Sequence, residues 1–218
     1  MQSTKEQILT FLKRTGCGTV DEIARAFGLA RMTVRQHLAA LERDGLVRSR
    51  EERRRTGRPH LLFSLSETGQ EKFPKRYDRL ADLALQEVAL LEADEIAGLG
   101  PEDKKRLLLR KMADRVFQQH EARVRDKALT DRVALVADIL REEGGFAEWK
   151  GEGSEFEIVD YNCVYRRVAD SHRDVCDWHL QLLGKLLDRP VQCNEMMSQG
   201  ADSCRFVVHD DATITQAT

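Results

Sequence analysis

The sequence predicts an α+β protein in three parts, at residues 1–70, 71–145 and 146–218. In the first part, apolar residues recur every three to four positions, are interrupted by short glycine turns, and then alternate on either side of an arginine-rich loop. The second part keeps a nearly continuous helical period. In the third, short alternating runs surround one helix, and four of the five cysteines of the chain fall between Cys163 and Cys204.

At 218 residues, 41% apolar and 33% charged, the chain has the composition of a soluble protein and the length for two domains. No run approaches the roughly 18 apolar residues that span a bilayer, so no membrane partner is expected. Met1 to Thr10 lacks the basic and apolar regions of a secretory signal, which points to a cytoplasmic location where thiols stay reduced. An odd number of cysteines there favours metal ligation or redox chemistry over a disulfide framework. The net charge of −2 conceals a split: residues 1–76 carry 16 basic against 9 acidic residues, and residues 77–218 carry 19 against 28. A basic front half suits a polyanion.

Within the front part, Ile8, Leu9, Phe11 and Leu12 define a first helix, with Ser3 or Thr4 as its cap. Thr19 and Glu22 form a capping box for a second helix whose apolar face is Val20, Ile23, Ala24 and Phe27, and Gly28 stops it. Helical periodicity resumes from Leu29 to Asp44, with Val34, Leu38 and Leu41 inward. Two helices joined by a tight turn make a helix-turn-helix. Arg31, Thr33, Arg35 and Gln36 project from the second of them and are of the types that hydrogen-bond base edges, although such residues also simply solvate helices. Strands at Val47 to Glu51 and Leu61 to Leu65, the latter with Leu61, Phe63 and Leu65 on one face, flank Arg53, Arg54, Arg55 and Arg58. A hairpin after a recognition helix is a wing, and its arginines suit phosphates or the minor groove.

The runs Thr33-Val34-Arg35-Gln36-His37-Leu38, Leu41 to Val47, Gly57-Arg58-Pro59 and Leu65-Ser66-Glu67-Thr68-Gly69 resemble the winged-helix regulators of the DeoR and ArsR type. This resemblance implies double-stranded operator DNA as the partner. His37, beside the buried Leu38, fits a packing or phosphate contact better than a metal ligand.

In the middle part, Leu80, Leu83, Ala84, Val88 and Leu91 form an apolar stripe within a helix predicted over Glu71 to Ala97. The stripe suits either a homodimer interface, common in helix-turn-helix proteins, or packing within the same chain. Pro101 starts a further helix reaching about Ala128, and Thr130 is expected to cap another that stops at Gly144-Gly145.

In the rear part, strands are predicted at Phe146 to Lys150, Glu155 to Tyr161, Val191 to Met197 and Arg205 to His209, with a helix over Val175 to Leu187. Cys163 follows the second strand, Cys176 opens the helix, where its dipole would favour a thiolate, and Cys193 and Cys204 lie in or beside the final hairpin. No two cysteines form a C-x-x-C pair. Small buried hydrophobes, a redox disulfide or a thiolate-bound metal all remain open, the last as zinc on four sulfurs or on three with His172, His179 or His209, or as an iron–sulfur cluster. Nothing in the chain matches a phosphate loop, a nucleophile elbow or H-E-x-x-H, so neither an enzyme nor a small-molecule substrate is expected.

A winged-helix front, a helical connector and a small α/β rear with Asn162-Cys163, Cys176 and Gly200-x3-Cys204 before Phe206 resembles the Suf-operon repressor family. That resemblance implies a dimeric, DNA-binding repressor of iron–sulfur cluster assembly genes. It carries an iron–sulfur cluster, expected as [4Fe–4S] with zinc the alternative, onto Cys163, Cys176 and Cys204, and leaves Cys193 as the candidate fourth ligand.

Overall fold

A computed structural model describes residues 3–52 and 60–210. These form two compact units, Met1–Pro74 and Lys75–Thr218. The chain is α+β, as the sequence predicts.

The first unit opens with α1 (Thr4–Thr15), a two-residue strand β1 (Cys17–Gly18), α2 (Val20–Phe27) and α3 (Arg31–Arg43). Ser3 and Thr19 each accept a hydrogen bond from the third helical backbone amide, while Glu6 and Glu22 each accept one from the cap's own amide, so both helix starts are closed by local chemistry. Gly28 ends α2 at φ 64°, a left-handed conformation that glycine enters without a Cβ penalty. Ile8, Leu12, Ile23, Val34, Leu38 and Leu41 then close the helical core.

The hairpin of β2 (Val47–Glu52) and β3 (His60–Leu65) joins β1 in the order β1-β3-β2, all antiparallel. Phe63 and Leu65 face the core as expected, but Leu61 is exposed and Leu62 takes its place inside. Leu61 pairs with exposed Glu51 near the end of the described hairpin, where alternation no longer has a core to follow.

The Leu65-Ser66-Glu67-Thr68-Gly69 run has a physical reason. Ser66 Oγ donates to the carbonyl of Gly45 at 2.6 Å and accepts from the amide of Gly69 at 3.0 Å, capping the short α4 (Glu67–Gln70) and tying it to the end of the recognition helix. A Cβ on Gly69 would lie 2.0 Å from the carbonyl oxygen of Leu46. Gly69→Ala is therefore expected to destabilise this unit by about 2–3 kcal/mol, by overpacking against backbone that cannot yield. Thermal denaturation followed by circular dichroism checks this, and an unchanged first unfolding transition would contradict it.

The second unit holds α5 (Tyr77–Ala89), α6 (Ala93–Ile96), α7 (Pro101–Val124), α8 (Leu129–Glu142), β4 (Ala147–Glu152), β5 (Glu155–Asp160), α9 (Arg166–Ser171), α10 (Asp174–Leu187), β6 (Val191–Glu195) and β7 (Cys204–His209), with a short 3₁₀ turn at Met197–Gln199. The antiparallel sheet runs β4-β5-β7-β6. One core joins helices and sheet, from Leu83 through Met112, Val133, Val136 and Trp178 to Phe206. The helical middle and the cysteine-bearing rear, expected as separate regions, thus largely share one hydrophobic interior.

Several helix boundaries differ from expectation: the helix predicted over Glu71 to Ala97 is broken after Ala89 and resumes only as the short α6, and α7 ends at Val124 rather than near Ala128. Residues 71–76 are not helical, so the helix predicted from Glu71 begins at Tyr77, after Pro74 has disfavoured helix at Phe73. Thr130 lies inside α8 rather than capping it; Ala128 is the cap, and the buried Leu129 draws the start of the helix forward. The apolar stripe of α5 is divided, with Leu83 buried and Leu80 and Ala84 against the core, while Leu85, Val88 and Leu90 face outward.

Candidate functional site

The N-terminal unit presents one exposed helical face. Arg31, Met32, Arg35, Gln36 and Ala39 are solvent-exposed on α3, and Thr33 and His37 are half-buried at its edge. The apolar side of the helix is locked by Val34, Leu38 and Leu41, so the polar face is held in place by packing. Arg31 is not idle: its Nε lies 2.8 Å from Asp21 Oδ1 in the first turn of α2. Both partners are well exposed, so releasing the guanidinium for a base or phosphate costs little.

Arg53, Arg54, Arg55 and Arg58 lie outside the described residues. Two further arginines, absent from the set predicted to touch DNA, are exposed on β2: Arg48 and Arg50. Arg48 Nε donates to Ser64 Oγ across the hairpin at 3.3 Å, which aligns its side chain along the strand. The alternation Val47-Arg48-Ser49-Arg50, with Val47 buried, places both outward.

In the second unit, Cys163, Cys176, Cys193 and Cys204 all line one pocket of about 360 Å³, mouth included, together with His179 and Met196. Their convergence follows from strand pairing. Asp160 at the end of β5 lies opposite Cys204 at the start of β7, and the chain reaches Cys163 three residues beyond. Asp160 Oδ1 accepts the amides of Phe146 at 2.8 Å and Asn162 at 3.0 Å, fixing the bend that carries Cys163. Fully buried Asn162 reinforces it by donating to the Gly144 carbonyl at 2.8 Å. Cys176, in the first turn of α10, hydrogen-bonds with Ser198 Oγ at 3.2 Å. Cys204 Sγ accepts the Met197 amide at 3.4 Å, and Cys193, opposite Phe206 beside a bulge in β6, donates to the Glu195 carbonyl at 3.1 Å.

All four are free thiols. Burial pushes the Cys163 and Cys193 thiols up to about 11 and that of Cys204 upward as well, with neighbouring cysteines adding to each shift. A thiolate here needs a compensating positive charge. Among the described residues, no three His, Cys, Asp or Glu side chains stand close enough to hold one metal ion. Of the three candidate histidines, His179 lines the pocket, its ring edge-on to Phe206 at 5.8 Å, and burial drives its pKa down to about 4. His172 is exposed after α9, and His209 sits 3.8 Å from Glu155 at the opposite end of β7. Asp160, Ser198 and the Met197 amide escaped sequence reasoning; only the Asp-x-Asn-Cys order at a strand end hinted at the first.

No described helix is long and apolar enough to cross a membrane. Residues 2–49 match the helix-turn-helix model described as the bacterial regulatory protein, arsR family. With the three-helix core and wing, this defines the class: a DNA-binding transcriptional regulator with a winged helix-turn-helix. Among solved structures, the chain is similar to Bacillus subtilis PadR, crystallised in complex with operator DNA, at 16% identity and a TM-score of 0.31, over 86% of this chain and 89% of that one. Comparison with curated proteins gives no match.

Proposed function

We propose that this regulator is an iron–sulfur-dependent repressor of iron–sulfur cluster assembly genes that binds palindromic operator DNA as a homodimer. The observation that carries this reading is the gathering of four sequence-distant cysteines around one pocket in a chain that opens with a DNA-reading helix. Cys163, Cys176 and Cys204 would hold the cluster, with Cys193 as candidate fourth ligand, and the Met197 amide would hydrogen-bond a ligand sulfur, a contact that tunes such centres. A bound cluster, expected as [4Fe–4S], supplies the positive charge that the buried thiols lack and a redox- and iron-sensitive state.

The same sulfurs could instead hold zinc, and metal analysis of the purified protein separates the two.

Arg31, Thr33, Arg35 and Gln36 would read base edges, while Arg53, Arg54, Arg55 and Arg58 engage phosphates or the minor groove. The outward Leu85, Val88 and Leu90 on and beside α5 supply an apolar patch for a second copy.

Anaerobic purification followed by iron and sulfide analysis, visible spectroscopy and operator binding with and without the cluster tests this reading. The expected result is a brown protein whose operator affinity changes about 5- to 150-fold on cluster loss, the range of a coupling of about 1–3 kcal/mol. A colourless, iron-free protein that binds zinc stoichiometrically, or forms a disulfide, would overturn it in favour of a zinc- or thiol-responsive repressor.

A further inference from the structure

A second cavity in the C-terminal unit lies among α7, α8, α10 and the sheet, with about 720 Å³ of empty space, mouth included. Its wall is chiefly apolar, from residues such as Val116, Val136, Ile139 and Leu182. Three polar atoms in that wall are buried and have no hydrogen-bond partner: Trp178 Nε1, His120 Nε2 and Glu143 Oε2. Trp178 is among the most buried side chains of the molecule, at 1% exposure.

An unsatisfied buried donor or acceptor costs about 1–3 kcal/mol, so three around one cavity need an explanation. Apolar packing does not require them. Glu143, a residue of the cavity wall, is committed through its other oxygen to Arg79, which neutralises its charge and leaves Oε2 a buried acceptor without a partner. Burial and the cations Arg123 and Arg79 hold the His120 imidazole below its ordinary 6.5, against the smaller opposing pull of Glu143 and Glu142, so the ring is neutral at pH 7. The wall therefore offers one obligate donor in Trp178, one acceptor in Glu143, and an imidazole nitrogen able to serve as either.

We propose that this cavity is a binding site for a small uncharged amphiphile, with a compact apolar body and a hydroxyl or amide group that accepts from Trp178 and donates to Glu143. Such a ligand satisfies the stranded atoms while its body displaces water from apolar walls, the usual composition of a small-molecule pocket. A charged ligand is disfavoured, because Arg79 and Glu143 already neutralise one another, the Asp160 carboxyl is taken up by the amides of Phe146 and Asn162, and most of the remaining wall is apolar. The site differs from the cysteine pocket in its α7 and α8 walls, while Cys163, Tyr165, His179, Cys204 and Phe206 border both. The inference rests on the unpartnered atoms and stands whether or not the cysteines bind a metal.

The test uses the full chain carrying Trp149→Phe, which leaves Trp178 as the only tryptophan, titrated with 2-naphthol as a neutral two-ring probe. Saturable quenching of Trp178 fluorescence at one probe per chain is expected. Val136→Phe, which fills the cavity, should weaken binding at least tenfold, and His120→Leu, which removes one polar partner while retaining bulk, severalfold. Circular dichroism melts establish that each variant is folded, and His120→Leu carries the decision alone if Val136→Phe is not. Absence of saturable quenching in the parent chain, or equal affinity in the folded variants, would overturn the proposal.

Discussion

A chain carrying Arg35→Ala with Gln36→Ala is expected to bind its operator at least about 30-fold more weakly, while its affinity for scrambled DNA falls far less. Both side chains are exposed on α3, and neither is needed by the core, which Val34, Leu38 and Leu41 close from the other side. Their removal should thus leave stability nearly unchanged. Each bidentate contact to a base edge contributes about 1–3 kcal/mol of discrimination, so losing two removes about 2–6 kcal/mol from specific binding. Nonspecific binding rests on phosphate neutralisation, where one lost arginine lowers the salt slope by about one unit at most. Operator sites selected from random duplex DNA by the parent chain, followed by equilibrium titration of both proteins at several salt concentrations, check this. Equal losses on selected and scrambled DNA would reassign Arg35 and Gln36 to the backbone and leave α3 without a reading role. Arg48→Ala offers the contrast: lying on the wing strand, it should weaken both kinds of DNA alike.

What the sequence made legible was local. The capping box at Thr19/Glu22, a cap at Ser3 or Thr4 and the glycine stop at Gly28 are satisfied within a few residues, so they read directly from residue order; the structure chooses Ser3 and adds Glu6 as its reciprocal partner. The wing was legible because Leu61, Phe63 and Leu65 alternate after an arginine-rich turn, yet that alternation failed at Leu61, where the hairpin outruns the core. Likewise Thr130 has the right chemistry for a cap but lies two positions too late, because burying Leu129 outweighs a cap worth about 1 kcal/mol. Residue order could nominate the cysteines but could not bring them together. Their meeting depends on β5 pairing with β7 and on a bend held by Asp160 and Asn162, contacts between distant parts of the chain that have no local signature. The stranded nitrogen of Trp178 was still less visible, since an inward tryptophan on an amphipathic helix reads as core whether or not its N–H finds a partner.

Cys163→Ser, purified anaerobically, is expected to lose the visible absorption and nearly all of the iron carried by the parent chain, and with them the cluster-dependent change in operator affinity. Serine replaces sulfur by a harder, smaller donor of much higher pKa, so it preserves shape but not thiolate ligation. The fold should survive, because the bend at this position is held by Asp160 and Asn162 rather than by the sulfur. Cys204→Ser should behave alike, since pairing of Asp160 with Cys204 sets the two cysteines at the same end of adjacent strands. Cys193 differs: it sits on the outer strand β6 with its thiol given to the Glu195 carbonyl, so Cys193→Ser should retain more cluster than the other two. Iron per chain, the visible spectrum and unfolding temperature measured on the three variants together separate ligand loss from misfolding. Full iron content in a folded Cys163→Ser protein would remove the cluster from this pocket. Equal, complete loss in Cys193→Ser would instead make the bulged strand a full partner in ligation, since Cys193 lines the same pocket as the other three.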